Sequence, residues 1–255
     1  MNVVVLVKYI PNPQGTPELG DDFLVKREGV EGGIDPGDEF GVEAALQLAE
    51  ASGGEVTVVS MGPEPALAAV QKALSMQCHR GLLVTDDALR GSDLWVTAKV
   101  LAAAIARAGF DLVVAGVEST DGSSGTLPMA LAEELGVPAV TFARHLEAKD
   151  GQIRIERQTE TGYDVVESPL PALVTVTAGA NNPRYPTLKA IMQAKQKPID
   201  RPSLADLELS ADELKPTQQV SGIQPAPERE GGEVLEDEEE GVRRIAQYLK
   251  EAKVI

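Results

Sequence analysis

Cysteine and histidine, the side chains used most often for metal binding and nucleophilic catalysis, are nearly missing from this chain. It has one cysteine, Cys78, and two histidines, His79 and His145, far apart in sequence. A single cysteine excludes an intrachain disulfide and a cysteine metal cluster. His79 beside Cys78 could bind a metal, but without further ligands a packing or surface role is favoured. We therefore predict neither a metal site nor catalytic residues.

Basic charge and long apolar runs are also scarce. The 23 Lys and Arg residues face 40 Asp and Glu residues, which gives a net charge of −17. This excess argues against nucleic acid as a partner, because phosphate binding needs clustered basic side chains. No apolar run approaches about eighteen residues, and Met1 leads into a strand pattern rather than a signal sequence. We expect a cytoplasmic protein that does not insert into membranes.

The strong phosphate-binding motifs are missing as well. The sequence has neither the Gly-Lys-Ser/Thr ending of a P-loop nor a G-x-G-x-x-G, so a P-loop NTPase and a Rossmann dehydrogenase are both unsupported. The turn after the first predicted strand, residues 8–13, contains no glycine. That argues against ATP-cleaving pyrophosphatases of related architecture, which carry a Ser-Gly-Gly-x-Asp-Ser loop there.

What the sequence does contain is an alternation of apolar strands and amphipathic helices. Apolar runs predict buried strands at residues 3–7, 55–60, 81–85 and 111–115. Between them we predict a helix capped near Asp38, a helix through Leu74 and a helix capped by Ser92. This order predicts an α/β fold with a doubly wound, mostly parallel sheet, which binds ligands beyond the carboxyl ends of its strands.

The pattern changes after residue 139. Residues 153–157 and 164–168 form a predicted β-hairpin, and a buried strand follows at 172–177. Beyond Pro198 the helical pattern weakens until a short amphipathic helix from Val242 to Leu249. We predict an α/β domain over 1–199 and a C-terminal arm over 200–255, which has little core of its own and suits docking on a partner. A solvated tail with a frayed helix is the alternative.

The turn after the strand at 111–115 is rich in small residues. Gly116 is followed by a run from Ser119 to Thr126 that includes Gly122 and Gly125, and then by a helix that stops at Gly136. Small residues let the backbone bend and leave amide N–H groups free at a helix N-terminus, which favours a phosphate. An ordinary capped strand-to-helix turn is the alternative.

Three acidic residues, Asp35, Asp38 and Glu39, lie where a helix is predicted to begin. They could form a general-acid pair or a divalent-ion site. A helix N-terminus is the simpler interpretation, because acids there interact favourably with the helix dipole. Since carboxylates repel a phosphate, we expect a nucleotide to meet these residues through its ribose hydroxyls.

The chain's basic residues are concentrated at 181–201, where five of them face a single acid, Asp200. Asn-Pro and Tyr-Pro steps impose an extended backbone there, and a short amphipathic helix follows. An apolar group ringed by lysines on so acidic a chain indicates a protein docking site, with lysines steering the partner. Packing of the helix on the chain's own core is the alternative. The residues assigned to docking are Leu188, Ile191, Met192, Lys195 and Lys197.

In this segment the sequence resembles the β subunit of electron transfer flavoproteins. The recognition segment of that family has the form N-x-P-R-Y-x-T-L-x-x-I-M-x-A-K-x-K, which residues 181–188 and 191–197 match. The resemblance extends over most of the chain. Its further matches are Val7-Lys8, Ile34-Asp35-Pro36, Asp38-Glu39, Met61-Gly62-Pro63, Thr120-Asp121-Gly122, Gly125 and Pro171 to Val176.

The resemblance implies a heterodimer with an α subunit that holds most of one FAD, while this subunit buries AMP as a structural ligand. Such a protein is an electron carrier and not an enzyme. Flavin dehydrogenases such as acyl-CoA dehydrogenases reduce it, and a quinone oxidoreductase removes the electrons. By family position the AMP contacts are Leu6, Asp35, Pro36, Gly37, Asp38, Met61, Gly116, Val117, Glu118, Ser119, Thr120, Asp121, Gly122, Ser123, Ser124, Gly125 and Thr126.

Two other functions stay open from the sequence. A bifurcating member of the same family would hold a second FAD in place of AMP and react with NADH. A nucleotide-sensing module of the stress-protein kind, switched by AMP or ATP, would use the glycine-rich turn equally well. The stress-type module gives no reason for the segment at 181–197. Where the family often has an aromatic residue facing the flavin, this chain has Gly37, and Tyr9 is a weak substitute.

Overall fold

Strands and helices alternate along the chain, as the sequence predicts. The computed structural model describes residues 1–11, 18–27, 29–224, 235 and 237–255, in two units, Met1–Val220 and Ser221–Ile255. The strands are β1 Asn2–Leu6, β2 Tyr9–Pro11, β3 Gly32–Ile34, β4 Glu55–Met61, β5 Arg80–Val84, β6 Leu112–Gly116, β7 Ala139–Lys149, β8 Gln152–Gln158, β9 Tyr163–Pro169, β10 Ala172–Val176 and β11 Ile199–Asp200. The helices are α1 Pro36–Ser52, α2 Leu67–Ser75, α3 Leu94–Ala108, α4 Leu127–Leu135, α5 Leu188–Ala194 and α6 Glu238–Glu251.

Nine strands of the first unit form one sheet, in the order β11, β5, β4, β1, β6, β10, β7, β8, β9. Neighbouring strands from β11 to β7 are parallel, whereas β8 and β9 extend the sheet as antiparallel strands. In the middle of the sheet, Val4 of β1 pairs with Thr57 on one side and Val113 on the other. The predicted mostly parallel sheet with an added hairpin is confirmed.

Apolar cores lie on both faces of the sheet. Val3 and Val5 of β1 pack in a core that includes α1 and α2, whereas Val4 packs in a core that includes α3 and α4. Successive residues of a strand point to opposite faces, so β1 is buried on both sides. This arrangement explains the unbroken apolar runs and confirms the doubly wound fold.

Two predicted helix caps are one to three residues away from the observed ones. The carboxylate of Asp35, not of Asp38, caps α1 by accepting a hydrogen bond from the Gly37 N–H. The carboxylate of Asp93, not the hydroxyl of Ser92, caps α3 by accepting from the Val96 N–H. In both cases more than one nearby side chain has an oxygen that could accept the capping hydrogen bond, and only the backbone geometry decides which of them does so.

Several strands of the structure were not predicted. β7 has only two buried positions among its eleven residues, Val140 and Ala143, and carries charged side chains, so it lacks the apolar run of a buried strand. β2 and β3 are three residues each and pair with one another, outside the large sheet. Residues 14–33, rich in glycine and charged residues, are predicted from the sequence as a long excursion, and part of them lies outside the described residues.

The first unit ends later than the predicted boundary at residue 200. Leu204, Leu207 and Leu214 are buried and belong to the apolar core that includes α3 and α4. The stretch contains only two three-residue 3₁₀ turns, Ala205–Leu207 and Ala211–Glu213, so no regular helix or strand marks the burial of these leucines in the sequence. The residues at 200–220 are therefore part of the α/β unit.

In the second unit, α6 extends the predicted helix from Val242 to Leu249 at both ends. The carboxylate of Asp237 caps it by accepting from the Glu240 N–H, and three glutamates occupy its first turn. Val242, Ile245 and Tyr248 are exposed. Among the described helices of both units, none is long and apolar enough to cross a membrane.

Because Leu207 is buried in the first unit, Leu207→Ala is expected to lower the free energy of unfolding by about 2–5 kcal/mol. Denaturant unfolding of the full chain measures it. The matched control is Ile223→Ala, because Ile223 is exposed in the second unit; this change should stay within about 0.5 kcal/mol. Equal effects of the two changes would contradict a unit boundary at Val220.

Candidate functional site

The candidate site lies where the strand order of the sheet reverses. The chain runs from β1 to β4 and β5 on one side, and β6 then pairs with β1 on the other side. Beyond the carboxyl end of β1 lies Lys8, and beyond that of β6 lies the glycine turn, residues 116–126. In doubly wound sheets ligands bind in the crevice at such a point. The topology thus brings Lys8 and the glycine turn together.

The glycine turn leaves three consecutive amide groups unused. The N–H groups of Gly122 and Ser123 donate to the Ser119 carbonyl, at 3.3 and 2.8 Å. Those of Ser124, Gly125 and Thr126 have no acceptor in the described part of the chain, and no side chain caps α4. Gly125 has a φ of 60°, which curves the backbone into the helix. Three free amides at a helix N-terminus are an arrangement that can bind an anion.

Asp35 holds the glycine turn in place. One carboxylate oxygen accepts from the Thr120 N–H at 2.7 Å and from the Thr120 hydroxyl at 2.9 Å, and the other caps α1. The side chain is fully buried. The expectation that Asp35 meets ribose hydroxyls does not fit this geometry, since its carboxylate is directed at the chain itself.

A second acidic group, Asp121, is neutralised within the site. Its carboxylate accepts from Lys8 Nζ at 2.6 Å and from Arg27 Nη2 at 2.5 Å, and Lys8 Nζ also donates to the Ser119 hydroxyl. Burial raises the pKa of Asp121, but the hydrogen bonds and positive charges of Lys8 and Arg27 together outweigh burial, and the net pKa is lowered. Asp121 is therefore ionised and paired, which reduces its repulsion of an anion. Sequence reasoning missed Arg27, which nothing in the local pattern distinguishes.

Asp38 lies beneath the turn, in the first turn of α1. It is buried, and it accepts from the Lys8 N–H at 2.7 Å. Burial, with the nearby charge of Asp35, raises the pKa of Asp38 well above its ordinary value. A side chain at Gly116 would place its Cβ 2.8 Å from Asp38 Oδ1. Asp38 therefore packs against the glycine at the end of β6.

The other predicted nucleotide contacts lie at the ends of β1 and β4, at the start of α1 and within the glycine turn. Leu6 is buried at the end of β1, and Met61 is half-buried at the end of β4. Pro36 is exposed and Gly37 half-buried at the start of α1. Val117 is half-buried and Glu118 exposed within the glycine turn. The side chain of His79 instead binds the backbone at β4, where its Nδ1 accepts a hydrogen bond from the Val56 N–H at 3.0 Å.

The predicted docking segment, residues 181–197, presents its apolar side chains to solvent. Leu188 is 77% exposed and Met192 65%, and Ile191 is also exposed. The Thr187 hydroxyl caps α5 by accepting from the Ala190 N–H. The alternative that Leu188 packs in the core is thereby wrong for the described chain.

One of the predicted steering lysines has another role. Lys197 Nζ donates to the carbonyls of Leu74 and Cys78, at 3.0 and 2.6 Å, at the C-terminal end of α2. Burial lowers the pKa of Lys197. The burial of Cys78, beside it, raises the thiol pKa to about 12. Lys197 thus fastens the segment to the chain, and Lys195, which is exposed, is the lysine left for steering.

Known proteins are similar to this chain over its whole length. A family model described as "Electron transfer flavoprotein domain" matches residues 22–207. Proteins named "Electron transfer flavoprotein subunit beta" align with 100% of the chain. That of Mycobacterium tuberculosis is 39% identical over 264 residues and 99% of its own length. Those of Thermoanaerobacterium thermosaccharolyticum and Bacillus subtilis are 36% identical over 263 residues and 35% over 258, each along 100% of its own length.

Asp38→Asn is expected to stabilise the protein at neutral pH. The folded-state pKa of Asp38 is raised, so its contribution to stability is fully present below the unfolded pKa of about 3.9 and is lost as pH rises through the folded pKa. Asparagine keeps the acceptor for the Lys8 N–H and carries no charge. Thermal unfolding should favour the variant more at about pH 8 than at about pH 4.5.

Asp164→Asn is the control for this experiment, because Asp164 is exposed on β9. Its effect on the melting temperature should vary little between the two pH values. A melting temperature of Asp38→Asn that falls below the wild-type value at the higher pH would contradict the raised pKa.

Proposed function

We propose the function of this chain from its family, because the chain belongs to the electron transfer flavoprotein β subunit family. It is the β subunit of a heterodimer that accepts electrons from flavin dehydrogenases, such as acyl-CoA dehydrogenases, and passes them to a quinone oxidoreductase. The observation that carries this proposal is the exposure of Leu188 and Met192 on a capped helix of the docking segment. A carrier that meets several partners needs a small surface that each of them can bind.

The chemistry of electron transfer requires no catalytic residue from this chain. FAD, held mainly by the α subunit, supplies the redox chemistry when it is bound. This chain contributes binding and orientation: an α/β unit with a nucleotide site, a docking segment and an arm. The carrier role agrees with the scarcity of histidine and cysteine in the sequence.

AMP is the proposed ligand of the glycine turn. Its phosphate would accept hydrogen bonds from the free amides of Ser124, Gly125 and Thr126 at the N-terminus of α4. Gly122 keeps the surface of the turn open because it has no side chain. The fixed backbone supports the fit, since Asp35 holds Thr120 and the pair Lys8 and Arg27 holds Asp121.

The arm completes the proposed heterodimer. Residues 221–255 form a unit of their own, and α6 exposes the apolar side chains of Val242, Ile245 and Tyr248. A strongly amphipathic helix with an uncovered apolar face suits docking on the α subunit. We therefore place the start of the arm at residue 221, later than the sequence predicts.

Co-expression with the α subunit tests the nucleotide assignment. The purified heterodimer should contain one flavin, measured by its absorbance, and one AMP, measured in an acid extract by chromatography. A second FAD and no AMP would instead favour the bifurcating alternative, and a chain that carries AMP without any α subunit or flavin would favour a nucleotide-sensing module.

Gly122→Val provides the matched variant. A Cβ at residue 122 would lie 3.1 Å from the Ser119 hydroxyl oxygen and 3.6 Å from Lys8 Nζ, so the fold can accept it with a small shift. The branched side chain would cover the turn and should abolish AMP retention while one FAD per heterodimer remains. Full AMP content in this variant would exclude the glycine turn as the phosphate site.

Leu188→Ala tests the docking role. Truncating a pocketed anchor at an interface typically costs ~2 kcal/mol or more, roughly a thirtyfold loss in affinity. The variant heterodimer should be reduced more slowly by an acyl-CoA dehydrogenase at limiting concentration. FAD content, AMP content and melting temperature should stay near the wild-type values, because Leu188 is exposed.

Val220→Ala is the control, because Val220 is exposed outside the docking segment. It removes a similar apolar group and should leave the reduction rate unchanged. An unchanged rate for Leu188→Ala would remove the docking role from this residue.

A further inference from the structure

The docking segment is held to the α/β unit by an ion-pair cluster at Arg184. Its guanidinium donates to both oxygens of Glu43, at 2.8 and 3.0 Å, and to both oxygens of Glu50, at 2.6 and 3.3 Å. The Arg184 backbone N–H also donates to Glu43. Both glutamates belong to α1, so one side chain joins the segment to a helix that is 134 or more residues earlier in the chain.

The burial of Glu43 makes this cluster stronger than an ordinary surface ion pair. Its side chain is 6% exposed, and that of Arg184 is 22% exposed. Burial raises the pKa of Glu43, but the hydrogen bonds from Arg184 and Gln47, together with the charge of Arg184, outweigh burial and lower the pKa. The hydrogen bonds between Arg184 and Glu43 also raise the pKa of Arg184. Paired charges with multiple planar hydrogen bonds fix both the position and the orientation of the guanidinium.

The other end of the docking segment is fastened separately. Ala194 is buried in the apolar core, and Lys197 donates to two carbonyls at the end of α2. At the first end, the Asn181 side chain also donates to the Phe40 carbonyl of α1. Between these attachments lie the residues that the chain does not bury, Tyr185, Leu188 and Met192.

Most of the surface of the Tyr185, Leu188 and Met192 side chains is exposed, so apolar packing contributes little to holding them in place. A mobile anchor must be ordered when a partner binds, and each ordered side chain costs binding free energy. We infer that Arg184 is a positioning residue for partner docking, which fixes α5 so that Leu188 meets the dehydrogenase without an ordering cost. The inference rests on the proposed function, and it assigns to Arg184 a role beyond stabilising the fold.

Arg184→Lys separates the effect of the guanidinium's hydrogen-bond geometry from the effect of its positive charge. Lysine keeps the positive charge but offers a single point donor, so it cannot hold two carboxylates in one plane. In the heterodimer we expect KM for the dehydrogenase to rise roughly three- to tenfold with kcat unchanged. Hydrogen exchange of the amides in residues 185–194 should become faster, whereas that of β1 and β6 should not. A variant that only weakened the fold would speed exchange throughout the sheet.

Two further variants keep the test decisive. Glu50→Gln removes only the outer half of the cluster, because Glu50 is 57% exposed; it should give a smaller rise in KM in a fully folded protein. Arg154→Lys is the matched control, because Arg154 also pairs with two exposed glutamates, Glu147 of β7 and Glu167 of β9. It should change neither KM nor the exchange of residues 185–194.

The outcomes distinguish this inference from the proposed function. If Leu188→Ala slows reduction while Arg184→Lys changes neither KM nor local exchange, docking stands and the positioning role is overturned. If Arg184→Lys speeds hydrogen exchange of residues 185–194 but leaves KM unchanged, the positioning role of Arg184 is also overturned. If Leu188→Ala has no effect on the rate, the proposed docking function itself fails, whatever Arg184→Lys does to exchange.

Discussion

The buried carboxylate of Asp35 joins the three parts of the chain that meet at the candidate site. It caps α1 through Gly37 and holds Thr120 of the glycine turn, while its own backbone N–H donates to the Lys8 carbonyl beyond β1. Without these bonds, Asp35 would no longer connect the glycine turn to the start of α1. Buried hydrogen bonds of this kind are costly to leave unmade, so the arrangement is strongly specified.

This constraint explains how an acidic chain can offer a site to an anion. Asp35 points at backbone groups, Asp38 is buried with a raised pKa, and Asp121 is paired with two cations. Asp35 and Asp121 are thus held by hydrogen bonds within the chain, whereas Glu118 is the acidic side chain that is exposed in the same turn. The amides of Ser124, Gly125 and Thr126, which have no acceptor in the described part of the chain, stay available to the proposed phosphate. Binding then depends on backbone position and far less on the overall charge of −17.

The sheet and most helices could be predicted from the sequence, because apolar periodicity is local and β1, β4 and β6 are buried on both faces. The glycine turn was also recognisable from its composition. The contacts that fix it were not. Asp35 and Thr120 are 85 residues apart, and Arg184 and Glu43 are 141 apart. No local pattern distinguishes a carboxylate that clamps a turn from one that meets a ribose, or a lysine that caps a helix from one that steers a partner. Those assignments depend on which side chains the topology brings together.

In the docking segment, the residues that attach it to the chain are different from those that are exposed, and this affects how the protein can change during evolution. Its attachment uses Asn181, Arg184, Ala194 and Lys197, whereas the intervening Tyr185, Lys189 and Gln193 are exposed. Substitutions at the exposed positions leave the attachments and the core untouched, so the fold imposes little selection against them. Partner preference can therefore diverge between lineages by exchange of a few surface residues, while Glu43 and Arg184 are constrained to be kept or replaced together.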